Sequence, residues 1–302
     1  IAKKKKKSEH AIRKLYRKQK LQELSCIDKM TQIALNTSEF LRSSNMEGDC
    51  KIYAHTGNIA NWNNLKTRRT NDIPANELYQ SLLRVFGKWS EVSGPLGQGE
   101  IYVNCSNAEK MDINERGLLK VTAKVFLHTL KVDALREAVN ITLMQLGVSH
   151  LDSLYLALPP IDESTPFNEA ILPFWEEMER LRDAGISTQI SSCDLDKEKL
   201  ESLIRMVRIK PEVNQVNLTS CCHMPEDLVA YAKEANVVLH THGDQSVMLP
   251  EETLDQLIHT IQPADKRQYS TEYVVRYAVV VKCRGVIKGK GYIAVLNGKD
   301  PQ

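Results

Sequence analysis

The chain has 302 residues, and its 40 Lys and Arg nearly balance its 38 Asp and Glu, which gives a formal net charge of +2. This balance gives no overall attraction to nucleic acid, and the hydrophobic share of 42% is typical of a globular protein. No apolar run approaches the roughly 20 residues that a membrane-spanning helix needs. We therefore expect neither a nucleic acid nor a membrane partner.

Seven cysteines are present, an odd number with irregular spacing and no CxxC pair. They are Cys26, Cys50, Cys105, Cys193, Cys221, Cys222 and Cys283. Without paired metal-ligand spacing or an obvious signal peptide, this pattern favours free thiols in a reducing compartment. The sequence thus predicts a cytoplasmic protein without a structural metal.

Residues 1–45 differ in composition from the rest, because they are Lys-rich and then rich in Ser, Thr and Asn. The chain begins with Ile1, and Met46 is a plausible start. We therefore expect a basic, polar extension over 1–45 that is disordered or mis-translated, followed by a single domain over 46–302. A nuclear address or polyanion-binding arm at Lys3–Lys7 is a less favoured interpretation.

In chain order, strand and helix patterns alternate with a period of about thirty residues. Strands are predicted near 52–59, 100–105, 120–127, 151–158, 186–192, 213–218, 237–242 and 285–288. Helices are predicted near 76–89, 132–146, 172–181, 196–207, 225–232, 254–261 and 272–282. Gly147 is expected to end the second helix as a C-cap, and Asp196 to cap the fourth.

Eight strands in serial βα units predict a parallel sheet with right-handed crossovers. That number favours an α/β fold of the (β/α)8 TIM barrel type over an open doubly wound sheet. No GxGxxG motif follows a strand, which further weakens a Rossmann interpretation.

Four segments, in this order and at these distances, resemble the aldo-keto reductase barrel. They are Ala123-Lys124-Val125-Phe126, Leu154-Tyr155-Leu156-Ala157-Leu158-Pro159, Ser192-Cys193-Asp194 and Asn214-Gln215-Val216-Asn217. The first resembles the strand with that family's catalytic lysine, and the second the strand end where its histidine stands. The last two resemble the segments that contact the nicotinamide.

Within that superfamily the chain is most similar to the regulatory (modifier) subunit family of glutamate–cysteine ligase, over about residues 52–296. The similarity lies in His55-Thr56-Gly57-Asn58-Ile59, Asn214 to Cys222 with Met224-Pro225, and Arg276 to Ile293. It implies a non-catalytic subunit that binds the catalytic subunit as a heterodimer. It also implies that this subunit improves glutamate affinity and relieves feedback inhibition by glutathione.

The catalytic positions depart from the reductase pattern. Lys124 matches the lysine, but Leu158 stands at the histidine position and Asn104 at the aspartate position. No tyrosine stands at or near Glu109, where the proton donor belongs. We therefore expect Lys124 to be vestigial, either ion-paired inside the protein or turned to solvent. An NADPH-dependent reductase is the less favoured alternative.

The nicotinamide-contact positions are Cys193, Asp194 and Gln215, and we expect them to be vestigial, with no cofactor bound. His240 and His242 share a strand face with Asp244 nearby, but strand-end histidines are more common than metal ligands, so no metal site is expected.

The partner interface is predicted at the carboxyl-terminal face of the barrel and along the C-terminal segment. The residues proposed for it are Cys221, Cys222, Lys282, Arg284, Lys288 and Lys290. The alternatives without a binding function are that the two cysteines are buried thiols and that the basic residues form a solvated strand end.

Overall fold

The structure is a computed structural model, and it describes residues 49–62, 73–93, 96–104, 110–112, 114–162, 164–219 and 223–300. The predictions on the 1–45 extension, on Glu109 and on Cys221 and Cys222 fall outside these described residues. Within them, no helix combines the length and apolar character that crossing a bilayer requires.

Nine strands and six α-helices make up the described part of the chain. The strands are β1 Cys50–His55, β2 Gly99–Val103, β3 Leu119–Leu127, β4 Ser153–Ala157, β5 Ile190–Cys193, β6 Val213–Asn217, β7 Val238–His242, β8 Gln268–Val281 and β9 Val286–Lys299. The helices are α1 Pro74–Ser93, α2 Val132–Leu146, α3 Phe167–Asp183, α4 Lys197–Met206, α5 Glu226–Glu234 and α6 Glu251–Ile261. Short 3-10 turns lie at Ile59–Asn61 and Arg116–Leu118.

The strands form one sheet in the order β2-β1-β9-β8-β3-β4-β5-β6-β7. β1 and β2 are parallel, and so are the successive neighbours from β3 to β7. β8 and β9 form an antiparallel hairpin that pairs with β3 on one side and β1 on the other. The α/β aldo-keto reductase-like fold is confirmed. After α6, however, the chain forms an antiparallel hairpin instead of the predicted eighth parallel strand, and this hairpin lies between β1 and β3.

The C-terminal hairpin corrects the predicted helix over 272–282 and the short strand over 285–288. Residues 273–281 are almost all Val, Tyr or Ala, and the strand buries side chains on both faces. Valine and tyrosine favour a pleated, two-sided environment, and a strand buried on both faces reads as a continuous apolar run. Such a run can be mistaken for a helix when periodicity is the only guide.

The two faces of the sheet are covered by different helices. Ile52 lies in a core cluster with residues of α1 and α6, whereas its neighbour Tyr53 donates a hydrogen bond from its hydroxyl to Glu137 of α2 at 2.9 Å. Side chains alternate between the faces of a strand, so these helices lie on opposite sides. Leu78 and Leu82 of α1 are completely buried against the sheet, and burial of each side chain stabilises the packed helix by about 1.5–3 kcal/mol.

The predicted helix ends are confirmed at two positions. Gly147 has φ +65°, and its N–H donates to the carbonyls of Leu143 and Met144. This left-handed conformation is available to glycine at little steric cost. The Asp196 side chain accepts from the Lys199 N–H at 2.8 Å, which satisfies one of the free donors in the first turn of α4.

Candidate functional site

A buried charge cluster occupies the sheet where β3, β6 and β8 meet the loop after β7. The Lys124 ammonium donates to Asp244 Oδ2 at 2.8 Å and to Gln215 Oε1 at 2.9 Å. The Lys124 side chain is 4% exposed and that of Asp244 is 1% exposed. Arg276, opposite Lys124 in the register of β8 and β3, donates to Asp244 Oδ2 at 2.8 Å and also bonds its Oδ1. One buried carboxylate therefore serves two cations.

The Asp244 carboxylate is held in its charged form. Burial alone disfavours the charge, but the His242 hydrogen bond and the Arg276 and Lys124 cations outweigh it and keep the pKa of Asp244 well below its usual range. The backbone N–H of Asp244 donates to His242 Nδ1 at 3.1 Å. Asp244 is thus fixed from both its side chain and its backbone.

His242 links this cluster to Asp194, since its Nε2 lies 2.9 Å from Asp194 Oδ1. Burial lowers the pKa of His242, but the bonds to Asp194 and Asp244 more than compensate and leave it above its ordinary value. Because a carboxylate oxygen only accepts hydrogen bonds, His242 Nε2 donates to Asp194. Asp194 also accepts from the Asn217 N–H at 3.0 Å and adopts φ +58°, a left-handed conformation.

The positions compared with the reductase tetrad do not come together around Lys124. Asn104 follows β2, which three strands separate from β3, and it donates to the His55 carbonyl at 2.8 Å. Leu158 follows β4, is half-buried and has no side-chain polar atom. The sequence left two placements for Lys124, an internal ion pair or a side chain turned to solvent. The structure shows the ion pair, and the partner is Asp244 in the loop after β7.

No tyrosine hydroxyl bonds to Lys124 in the part of the chain that the structure describes. Tyr155 of β4 pairs with Lys124 in register. Burial, with the nearby Cys193 thiol, raises the pKa of Tyr155. A proton donor for carbonyl reduction needs a neighbouring cation that lowers its pKa, so Tyr155 does not meet this requirement.

The side chains at the nicotinamide-contact positions are already engaged within the protein. Gln215 Oε1 already accepts from Lys124, and the Cys193 Sγ lies 3.8 Å from the same oxygen. Burial raises the pKa of the Cys193 thiol to about 12, so it remains a weak, neutral donor. Asp194 offers only acceptor oxygens, so it can accept from a carboxamide NH2 but cannot donate to its carbonyl, and its negative charge opposes the phosphates of a dinucleotide.

A cavity of about 800 Å³ opens at the carboxyl ends of β4 to β7. Its apolar lining comes from the strand ends and from α3, and includes Leu158, Phe167 and Trp175. Cys193, Asp194 and His242 line it from the strand ends. Parallel α/β sheets bind ligands at this end of their strands. Sequence comparison alone indicated Leu158, Cys193 and Asp194, but not that they surround one cavity.

The two histidines considered as metal ligands have different surroundings. His240 is exposed, whereas His242 is occupied by Asp194 and Asp244. Among the described residues, no group of three or more His, Cys, Asp or Glu side chains has metal-holding geometry.

The basic residues predicted for the interface lie mainly at the turn between β8 and β9. Lys282 and Lys288 are about half exposed and pair with Asp152 at 3.5 Å and with Glu115, respectively. Arg284 is exposed, with no acidic partner in the described ranges, while Lys290 is drawn inward to Glu77 of α1 at 2.7 Å.

This turn lies at the opposite end of the sheet from the cavity. Leu119 at the start of β3 pairs with Val281, and Leu127 at its end pairs with Tyr273. The nine residues of β3 span about 27 Å. The β8–β9 turn and the cavity therefore lie about one strand length apart.

The pairing of Asp244 and Arg276 with Lys124 was not predicted from the sequence. A signal was present, because Arg276 interrupts the apolar run over 273–281 and a buried cation requires a counter-charge. Its partner follows a different strand, so spacing along the chain does not reveal it.

Comparisons with known proteins identify the family. The aldo/keto reductase family model matches residues 98–243. A human protein named glutamate–cysteine ligase regulatory subunit is 34% identical over 250 residues, which cover 80% of this chain and 91% of the relative. An aldo/keto reductase of Synechocystis is 31% identical over 159 residues, 48% of each chain. A solved aldose reductase from Giardia lamblia covers 54% of this chain and 52% of its own, at 19% identity and a TM-score of 0.36.

The fold and the site thus define an α/β protein of the aldo-keto reductase class. It retains the sheet lysine but pairs it with a carboxylate from the loop after β7. More particularly, the chain belongs to the family of glutamate–cysteine ligase regulatory subunits.

Proposed function

We propose that this protein is a non-catalytic, cytoplasmic regulatory subunit of glutamate–cysteine ligase. In this role it binds the catalytic subunit, improves its affinity for glutamate and relieves its inhibition by glutathione, which places it in glutathione synthesis. Family membership supports the regulatory role. The observation that supports the non-catalytic part is that, among the described residues, Lys124 bonds Asp244 and Gln215 and no tyrosine hydroxyl.

Carbonyl reduction on this fold requires a proton donor next to the lysine and a polar group that orients the carbonyl. The Lys124 ammonium is instead occupied by Asp244 and Gln215. Leu158 cannot orient a carbonyl, because its side chain is a hydrocarbon. We infer that neither reductase activity nor a bound nicotinamide cofactor belongs to this chain.

For the partner interface we favour the β8–β9 turn. Leu118, Val286 and Ile287 are 66%, 56% and 52% exposed, and the Lys282 N–H bonds the Leu118 carbonyl, so they lie at one end of the sheet. Exposed apolar groups with Lys282 and Arg284 beside them suit a partner surface that is apolar at its centre and acidic around it.

Regulation requires that this subunit bind one conformation of the catalytic subunit better than another. A coupling free energy of about 1–3 kcal/mol would change glutamate affinity by roughly 5- to 150-fold. The effect needs no catalytic group on this chain.

The test is a steady-state assay of the purified catalytic subunit with and without this protein. We expect a lower KM for glutamate and weaker inhibition by glutathione when it is added. Unchanged values would refute the regulatory role. In parallel, NADPH fluorescence should not change on adding the protein; binding at low micromolar concentration would favour the reductase interpretation.

The interface is tested with Ile287→Glu, which places a negative charge in the apolar patch. We expect at least tenfold weaker binding to the catalytic subunit. Leu130→Glu, at a residue 46% exposed just after the carboxyl end of β3 and so at the opposite end of the sheet from the turn, is the matched control and should bind normally. Equal binding of both variants would move the interface elsewhere and leave the regulatory role itself to the kinetic assay.

A further inference from the structure

We propose that the cavity at the carboxyl ends of β4 to β7 binds a small apolar molecule with an amine head group, held by Asp194. This inference does not depend on the ligase role, because the cavity lies about one strand length from the β8–β9 turn.

The apolar lining of the cavity indicates that most of the ligand is apolar. Phe167, Ile171 and Trp175 of α3 line one side, and Leu158 with Pro159 lines another. A cavity of about 800 Å³ lies within the range of roughly 300–1,000 Å³ of small-molecule sites. Apolar surface transferred from water into it contributes about 25 cal/mol per Å² before the entropic costs of binding are subtracted. A ring or a short hydrocarbon chain suits this lining.

The head group is set by Asp194. Its Oδ1 accepts from His242 and from the Asn217 N–H, whereas its Oδ2 has no donor within the described ranges. The Asp194 side chain is 45% exposed, so this oxygen remains accessible. An ionised carboxylate only accepts hydrogen bonds, and therefore the matching head group must donate them.

Lys199 and His242, which line the cavity, each already have an acidic neighbour. The Lys199 ammonium lies 3.1 Å from Asp196 Oδ2, and His242 donates to Asp194. The carboxylate of Asp162, by contrast, is exposed at the rim and accepts only from the Ser164 N–H at 3.2 Å among the described residues. A carboxylate or phosphate ligand would thus meet the carboxylates of Asp194 and Asp162 and would compete with Asp196 for Lys199, whereas a protonated amine would meet the free oxygen of Asp194.

A second, smaller cavity of about 360 Å³ shares Pro159, Pro160 and Ser246 with the first. It is lined by His128 and Thr129, whose buried Nε2 and Oγ1 atoms have no hydrogen-bond partner in the part of the chain that the structure covers. Burial lowers the pKa of His128 to about 4, so the ring is neutral at physiological pH. Unsatisfied buried polar atoms are rare in folded proteins, and a ligand that extends past the prolines could satisfy them.

The test is isothermal titration of the purified full chain with three probes of one body: 4-phenylbutylamine, 4-phenylbutyrate and 4-phenylbutanol. We expect the amine to bind at least tenfold more tightly than the carboxylate, with the alcohol between them. Asp194→Asn should reduce amine affinity by about tenfold, as expected for loss of a hydrogen bond to a charged group. Asp183→Asn, an exposed carboxylate on α3 with the same charge change, should leave it unchanged.

Leu158→Trp, which fills the cavity without touching a charge, should weaken all three probes. Equal binding of amine and carboxylate, or full amine affinity in Asp194→Asn, would overturn the head-group assignment. Full affinity in a folded Leu158→Trp variant would overturn the site. NADPH added in competition should leave amine binding unchanged; displacement would show that the cavity takes a dinucleotide instead.

Discussion

Replacing Asp244 by Asn removes the charge that compensates Lys124. The Asn side chain keeps the shape of Asp and one carbonyl oxygen, so the change isolates the charge. The Lys124 side chain is 4% exposed, whereas that of Arg276 is 27% exposed and can regain water. The destabilisation should therefore come mainly from the Lys124 ammonium, which remains buried without a counter-ion.

Breaking a buried pair by removing one partner costs about 3–5 kcal/mol. In a folded domain of this size, 1 kcal/mol corresponds to about 2–4 °C in Tm, so we expect Tm to fall by about 6–20 °C. Chemical denaturation followed by circular dichroism gives the free energy of unfolding, and a thermal scan gives Tm. Asp183→Asn, whose carboxylate pairs with Arg208 where both side chains are more than half exposed, should cost below about 1 kcal/mol.

The double variant Asp244→Asn with Lys124→Met removes the stranded ammonium and should recover part of the lost stability. A loss below about 1 kcal/mol for Asp244→Asn, or no recovery in the double variant, would refute the reasoning. The pH dependence gives a second check, because the pKa of Asp244 is lowered in the folded state. Its contribution is complete above about pH 5, where an unfolded aspartate is almost fully ionised, and is lost progressively as the pH falls below that. Asp244→Asn should lack this acid-sensitive component.

Three further predictions concern other buried groups. Burial lowers the pKa of His55 to about 4, so the unfolded state binds more protons than the folded state between about pH 4 and 6.5, and the wild type loses stability as the pH falls. Between pH 7.5 and pH 5, the loss in the free energy of unfolding, measured by urea unfolding, should be about 2 kcal/mol smaller in His55→Phe than in the wild type. Gly291→Ala would place a Cβ in steric overlap with the Gly57 carbonyl oxygen and the Tyr277 hydroxyl, and should cost about 1–3 kcal/mol by the same measurement; an unchanged midpoint would contradict this close approach of β9 to its neighbours. Cys193, 7% exposed with the pKa of its thiol raised to about 12, should react with iodoacetamide at pH 8 much more slowly than the exposed Cys283, and equal rates by peptide mass spectrometry would argue against its burial.

Local patterns predicted most of the elements because their causes are local. The helical spacing of Leu78, Leu82 and Val85 and the left-handed turn at Gly147 each depend on neighbours within a few residues. The prediction for the C-terminal hairpin was wrong because Tyr273–Val281 is apolar almost throughout. Such a run fits a strand buried on both faces as well as a helix, and only its partners decide.

For the site, the residue types at the reductase positions could be read from the sequence, but their partners could not. Leu158 and Asn104 were identified by alignment to motifs, whereas the pairing of Lys124 with Asp244 and Arg276 joins residues from three separate parts of the chain. The accessible oxygen of Asp194 likewise depends on where His242 places its ring.

By itself, then, the sequence determined the α/β class, the family and the identity of the side chains at the former catalytic positions, because these depend on residue type and local spacing. Only the tertiary structure decided which carboxylate neutralises Lys124, that a hairpin lies between β1 and β3, and that the basic turn and the cavity occupy opposite ends of the sheet. The physical reason is that strand pairing and charge compensation act between residues far apart in the chain, and their energies depend on burial that only the folded state creates.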